Sequence, residues 1–170
     1  MAAETESKWE GKVSAVLANP TAQQVWLLLE DFCNLHKWLP SIDTCYQVDG
    51  VPGQPGLIRY CAATVTSSSG GRDDGVTINW AKEKLLAIDP IKRCLSYEVV
   101  ENNTGIKSYV ATMIVLPIND DGGRGCKIEW SFVSDPIEGW RIEDLVSYLE
   151  SNLQGMAKRM LHHYALLLNS

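Results

Sequence analysis

Several residue patterns that mark large functional classes are missing from this 170-residue chain. Histidine occurs three times; His162 and His163 are neighbours on a helical stretch, where successive side chains point about 100° apart and do not readily share a metal ion. His36 stands alone and reads as structural. Five cysteines form an odd set without a Cys-x-x-Cys pair, which argues against a disulfide framework and against a zinc site, so reduced thiols and a cytoplasmic location are the expectation. Lys and Arg number 15 against 21 Asp and Glu, a net charge of -6, so the basic excess that grips a phosphate backbone is absent and no nucleic-acid partner is expected. No apolar run approaches the ~20 residues of a membrane span, and residues 1–7 bear acids in place of a basic, apolar signal, so they are expected to be flexible. The glycine-rich run at 49–56 lacks the Gly-Lys-Ser/Thr ending of a phosphate loop and reads as a hairpin connection. Ser96 and Ser131 have neither a glycine elbow nor a histidine partner in sequence, which sets nucleophilic hydrolysis aside.

What remains is an ordinary globular composition, 45% hydrophobic and 21% charged, enough for a single domain over residues 1–170 with both a core and an internal pocket. Residues 9–17 alternate and predict a strand, ended by Asn19-Pro20. Thr21 is a good N-cap, and Val25, Leu28, Leu29 and Phe32 recur at helical spacing, so a short helix is expected to about Phe32, with a second over 34–38. From Ile42 to Val133 the period becomes that of strands, with breaks at 49–56, 67–75, 89–92, 101–106 and 119–125 leaving six strands. After Pro136 the helical period returns, and about 25 residues of helix at 1.5 Å each would reach roughly 38 Å. That order gives an α+β helix-grip fold: a curved seven-stranded antiparallel sheet around a long C-terminal helix, with two short helices and an internal cavity.

Strand phase then assigns facings. Arg59 shares a face with Leu57, Cys61, Ala63 and Val65, and an arginine in that company needs an explanation. Glu83 falls with Ala81 and Leu85, although the flanking Lys82 and Lys84 leave open an exposed charge run, and any bulge would reverse the facing beyond it. Tyr97, Tyr109 with Met113, and Trp130 with Phe132 share the inward face, where each is either pocket wall or plain core. In the last helix Leu153 and Met156 belong to the apolar stripe.

These segments carry a resemblance. Trp9-Glu10-Gly11-Lys12-Val13, Asp31-Phe32-Cys33-Asn34-Leu35-His36-Lys37, Trp80-Ala81-Lys82-Glu83-Lys84-Leu85, Tyr109-Val110-Ala111-Thr112-Met113 and Trp130-Ser131-Phe132 resemble the plant lachrymatory factor synthases, within the polyketide cyclase/START, birch-pollen-allergen-like superfamily. The resemblance implies an isomerase that turns an alkenyl sulfenic acid into a thial S-oxide by proton transfer, without a cofactor, on substrate supplied by an upstream enzyme. It implies Arg59 and Glu83 as the catalytic pair, Arg59 holding an oxyanion and Glu83 shuttling the proton. Tyr97, Tyr109 and Trp130 fall on that family's cavity positions, and with Leu57, Asn79, Met113, Phe132, Leu153 and Met156 they make the expected substrate wall. Asn79 stands where the family has an aromatic, so a pocket of different shape is implied. The other expectation is a carrier or hormone-binding protein with no turnover, monomeric or weakly dimeric, holding a small apolar or amphipathic molecule. Abscisic acid receptors share the fold, but their Ser-Gly-Leu-Pro-Ala gate and His-Arg-Leu latch do not occur in this chain.

Overall fold

A computed structural model describes residues 7–69, 72–119 and 123–168. The opening alternation forms β1 (Trp9–Leu17), which turns Val13, Ala15 and Leu17 into the core. Helix α1 (Ala22–Leu29) starts in a capping box: the Thr21 hydroxyl accepts the Gln24 N–H, and the Gln24 side chain accepts the Thr21 N–H. It stops three residues before the predicted end, because Phe32–Lys37 winds into a tighter 3-10 segment kinked at Asn34, replacing the helix expected over 34–38.

Six strands follow: β2 (Thr44–Asp49), β3 (Ile58–Ser69), β4 (Arg72–Asp89), β5 (Cys94–Asn102), β6 (Val110–Pro117) and β7 (Cys126–Ser134). All neighbours are antiparallel, in the order β1-β7-β6-β5-β4-β3-β2. The break expected at 67–75 is largely strand: β3 and β4 stay paired out to Ser69 and Arg72. Residues 64–66 and 75–79 are exposed on both faces of that ribbon, where ladder hydrogen bonds suffice and no apolar face is needed to write a pattern. The tip at 70–71, most of the expected flexible stretch 1–7, and part of the 119–125 break lie outside the described residues.

Helix α2 (Ile142–Leu168) runs 27 residues and packs along β1, sinking Leu145, Leu149, Leu153, Met156 and Met160 into the concave face. Each fully buried side chain of this size contributes about 1.5–3 kcal/mol of transfer free energy. The β4–β5 register slips twice, between Lys82 and Glu83 and between Leu85 and Ala87. After the second bulge the inward phase reverses, so Leu85 is fully buried and Ile88, three residues on, also packs against the core. Among the described residues, no helix is long and apolar enough to cross a membrane.

Candidate active site

The β3–β4 register sets Arg59 directly opposite Glu83. Cross-strand neighbours on one face stand within side-chain reach, and these two close into an ion pair. Arg59 Nε donates to Glu83 Oε1 at 2.9 Å, and Nη2 stands 2.9 Å from the same oxygen as an ion-pair contact. Its Nη1 donates at 2.8 Å to the carbonyl of Phe32, at the start of the 3-10 segment. The guanidinium lies 3.7 Å from the Phe32 ring centroid and 4.9 Å from that of Tyr97, so two aromatic faces help to offset its desolvation. Burial works against the charge, but Glu83, with Cys61 and Tyr97 beyond it, keeps the guanidinium protonated well above its usual range. Arg59 is 3% exposed, and the Glu83 side chain 14%. Both Arg59 contacts and a 3.8 Å one from Cys61 Sγ fall on Oε1, while Oε2 accepts no hydrogen bond among the described residues.

Glu83 lines a chamber of about 160 Å³ between the sheet, the 3-10 segment and α2. At roughly 10–15 Å³ per water position, such a space holds about 11–16 waters, the scale of a small organic molecule. Tyr97, Tyr109 and Trp130 line it with Glu83, Asn79 stands at its exposed rim, and Leu35, Leu39, Ile42, Val99, Ile106, Leu145 and Leu149 supply apolar wall. Burial, then Tyr109 and Glu83, push the Tyr97 phenol well above its ordinary value, and burial followed by Glu83 does the same for Tyr109. Both therefore remain protonated at neutral pH and able to donate. Tyr109 stacks on the Phe132 ring, with centroids 6.0 Å apart and planes 9° from parallel. The Trp130 indole Nε1–H is buried beside the Tyr109 hydroxyl, with which it interacts without closing a well-formed hydrogen bond, so a better-placed acceptor in the chamber would satisfy it.

Thus Glu83, Tyr97, Tyr109, Trp130 and Asn79 come together around one space. Leu57, Met113, Phe132, Leu153 and Met156 do not: all five are buried in the core and off the chamber wall. Strand phase and helical stripe report which way a side chain faces, and in this fold facing inward means core more often than cavity. Arg59 differs in another way. It stands behind Glu83 and off the lining, with its donors engaged by Glu83 and the Phe32 carbonyl, so its geometry suits holding the carboxylate and not gripping a ligand oxyanion. Sequence reasoning left open whether Asn152 or Leu153 takes the place of a family tryptophan and named Leu153 as wall; it is Asn152, 7% exposed on α2, that faces the chamber. The available signal was an amide three residues after Leu149 within the apolar stripe. It also missed Cys61 as wall, having read it only as Arg59's neighbour on β3.

Residues 9–163 match the family model described as polyketide cyclase/dehydrase and lipid transport. The abscisic acid receptor PYL7 of Arabidopsis thaliana is 27% identical over 137 residues, covering 78% of this chain and 60% of the receptor. The chain thus spans less than two thirds of that curated relative's length. Among solved structures, XoxI from Bacillus cereus superposes with a TM-score of 0.70 at 20% identity, over 93% of this chain and 96% of its own. Ginseng major latex-like protein 151 from Panax ginseng gives 0.65 at 22% identity, over 91% and 97%. These two likenesses establish the helix-grip fold.

Proposed function

Because this chain belongs to the polyketide cyclase/dehydrase and lipid transport family, we propose that its chamber holds a small, largely apolar molecule on which Glu83 moves a proton. The observation that carries the reading is the division of labour on one carboxylate. Oε1 is fixed by Arg59, and Oε2 is left without a partner among the described residues, at the wall of an apolar space. A carboxylate held in one orientation beside a permanent cation is suited to accept a proton from a bound acid and return it a few ångströms away. The reaction that the sequence resemblance implies has that form. Oε2 takes the O–H proton of an alkenyl sulfenic acid, the electron pair shifts from oxygen toward the alkene carbons, and the same proton is delivered to the carbon two bonds from sulfur. The C=C bond becomes C=S, every atom is conserved, and no redox partner is required. The Tyr97 and Tyr109 hydroxyls and the Trp130 N–H steady the transient oxyanion, while Arg59 acts through Glu83 as a positioning residue.

The experiment is turnover of 1-propenylsulfenic acid, generated in place by a sulfoxide-cleaving lyase, followed by thial S-oxide formation. Glu83→Gln should lower kcat by about 10²–10⁴, the usual worth of a general acid–base group, with circular dichroism confirming the fold. Product at the enzyme-free rate with the unaltered protein sinks the isomerase reading.

A second reading, binding without turnover, is favoured by the same ion pair, since Arg59 and Glu83 already neutralise each other within mostly apolar walls. Under it, Glu83→Gln shifts ligand affinity and there is no turnover to lose.

A further inference from the structure

Two of the five cysteines are brought together in the chamber wall. Cys45 on β2 and Cys61 on β3 are direct register partners, both buried, and their sulfurs stand 3.6 Å apart, with either able to donate. Cys61 lines the chamber and also reaches Glu83 Oε1 at 3.8 Å; Cys45 lies behind it, off the lining. Opposed residues on antiparallel strands have Cβ atoms about 4.5–5.5 Å apart, close to the ~3.5–4.5 Å span of a disulfide, so small side-chain rotations suffice to join them. We infer that Cys45 and Cys61 form a two-electron thiol couple, oxidised to a cross-strand disulfide by a small apolar hydroperoxide that enters through the chamber.

The chemistry balances. The couple shares a proton, and hydrogen bonding from Cys61, aided by the Arg59 cation and opposed by burial, brings the Cys45 thiol down to about 6. One negative charge therefore resides on the sulfur pair at neutral pH. The hydrogen bond to Cys45, with burial, holds the Cys61 proton well above the usual thiol range, so the negative charge rests on Cys45. As Cys61 attacks the terminal peroxide oxygen, its proton passes to the Cys45 thiolate across the 3.6 Å contact; an S–O bond forms, the O–O bond breaks, and the departing alkoxide takes a proton from water. The Cys45 thiol then displaces hydroxide from the Cys61 sulfenic acid. The S–S bond forms, and the thiol proton leaves with that hydroxide as water. In sum, two thiols and one hydroperoxide give a disulfide, an alcohol and water. The disulfide also withdraws the Cys61 S–H from Glu83 Oε1, which ties the oxidation state of the wall to the neighbouring carboxylate.

This inference rests on the chamber wall and is independent of turnover at Glu83. The test treats the full chain with substoichiometric tert-butyl hydroperoxide and maps thiols and disulfides by peptide mass spectrometry. The expected product is an intramolecular Cys45–Cys61 disulfide, formed ahead of any change at the more exposed Cys33 and Cys94 and reversed by dithiothreitol. Cys45→Ser removes the thiolate that takes the Cys61 proton, so oxidation should slow and stop at a Cys61 sulfenic acid that dimedone traps. Cys61→Ser should slow oxidation at Cys45 by about tenfold or more, because a thiolate that the oxidant cannot reach does not react. The inference is overturned if Cys33 or Cys94 oxidises first, if Cys45 pairs with Cys33 instead, or if Cys45 in the Cys61→Ser variant reacts as fast as in the unaltered chain.

Discussion

At the scale of single residues, the pair Arg59 and Glu83 concentrates the electrostatic risk of the molecule. A guanidinium 3% exposed is tolerable because a carboxylate, a backbone carbonyl and two aromatic faces surround it. Removing one partner of a buried pair leaves the other charge uncompensated, so Arg59→Met should cost about 3–5 kcal/mol in the urea unfolding free energy. Arg59→Lys keeps the charge but reaches Oε1 and the Phe32 carbonyl with a point donor in place of a planar fork, and should lose part of that stability. The double variant Arg59→Met/Glu83→Leu should recover much of the loss, since removing both charges together can be close to neutral. If the two single losses simply add in the double variant, the pair is not coupled as described.

Among the elements, α2 owes its closeness to the chamber to a single glycine. A Cβ on Gly155 would meet the Pro40 ring at 2.9 Å from Cγ and 3.2 Å from Cδ. At an unobstructed helical site, glycine to alanine gains about 1 kcal/mol from helix propensity. Here the rigid ring cannot rotate away, so Gly155→Ala should instead destabilise the protein by about 1–3 kcal/mol, as overpacking does. Leu39 and Ile42, on either side of Pro40, are chamber wall, so the same variant should weaken ligand binding. Adding Pro40→Ala should restore stability; urea midpoints and ligand titrations on the three proteins check both effects. Unchanged stability in Gly155→Ala would mean that the helix stands off from Pro40.

At the scale of the whole molecule, the buried phenols make folding sensitive to alkali. Tyr97 and Tyr109 both hold their protons above the ordinary tyrosine value of 10.0, chiefly because burial disfavours the phenolate. Once the pH passes that value, the unfolded chain has released protons that the folded chain retains, so it binds fewer and stability falls as pH rises. Each tyrosine contributes a slope of about 1.4 kcal/mol per pH unit there and nothing below. Urea titrations on either side of pH 10.0 should show the decline in the native protein, with Tyr97→Phe losing its share of the slope. Element order, the seven strands and the long closing helix were legible in the chain itself, because periodicity of two or of 3.6 is a local property that burial imposes on each segment. The inward facing of Arg59, Glu83, Tyr97, Tyr109 and Trp130 followed from the same alternation. Which inward residues border empty space was not legible: Leu57 and Met113 share the phase of Arg59 and Tyr109, yet pack solidly. Nor could alternation show that Arg59 stands behind its carboxylate, that Cys45 and Cys61 meet, or that Asn152 reaches the chamber. Those outcomes depend on register between strands and on how closely α2 approaches the sheet, and such distances arise between segments remote in sequence and not within any one of them.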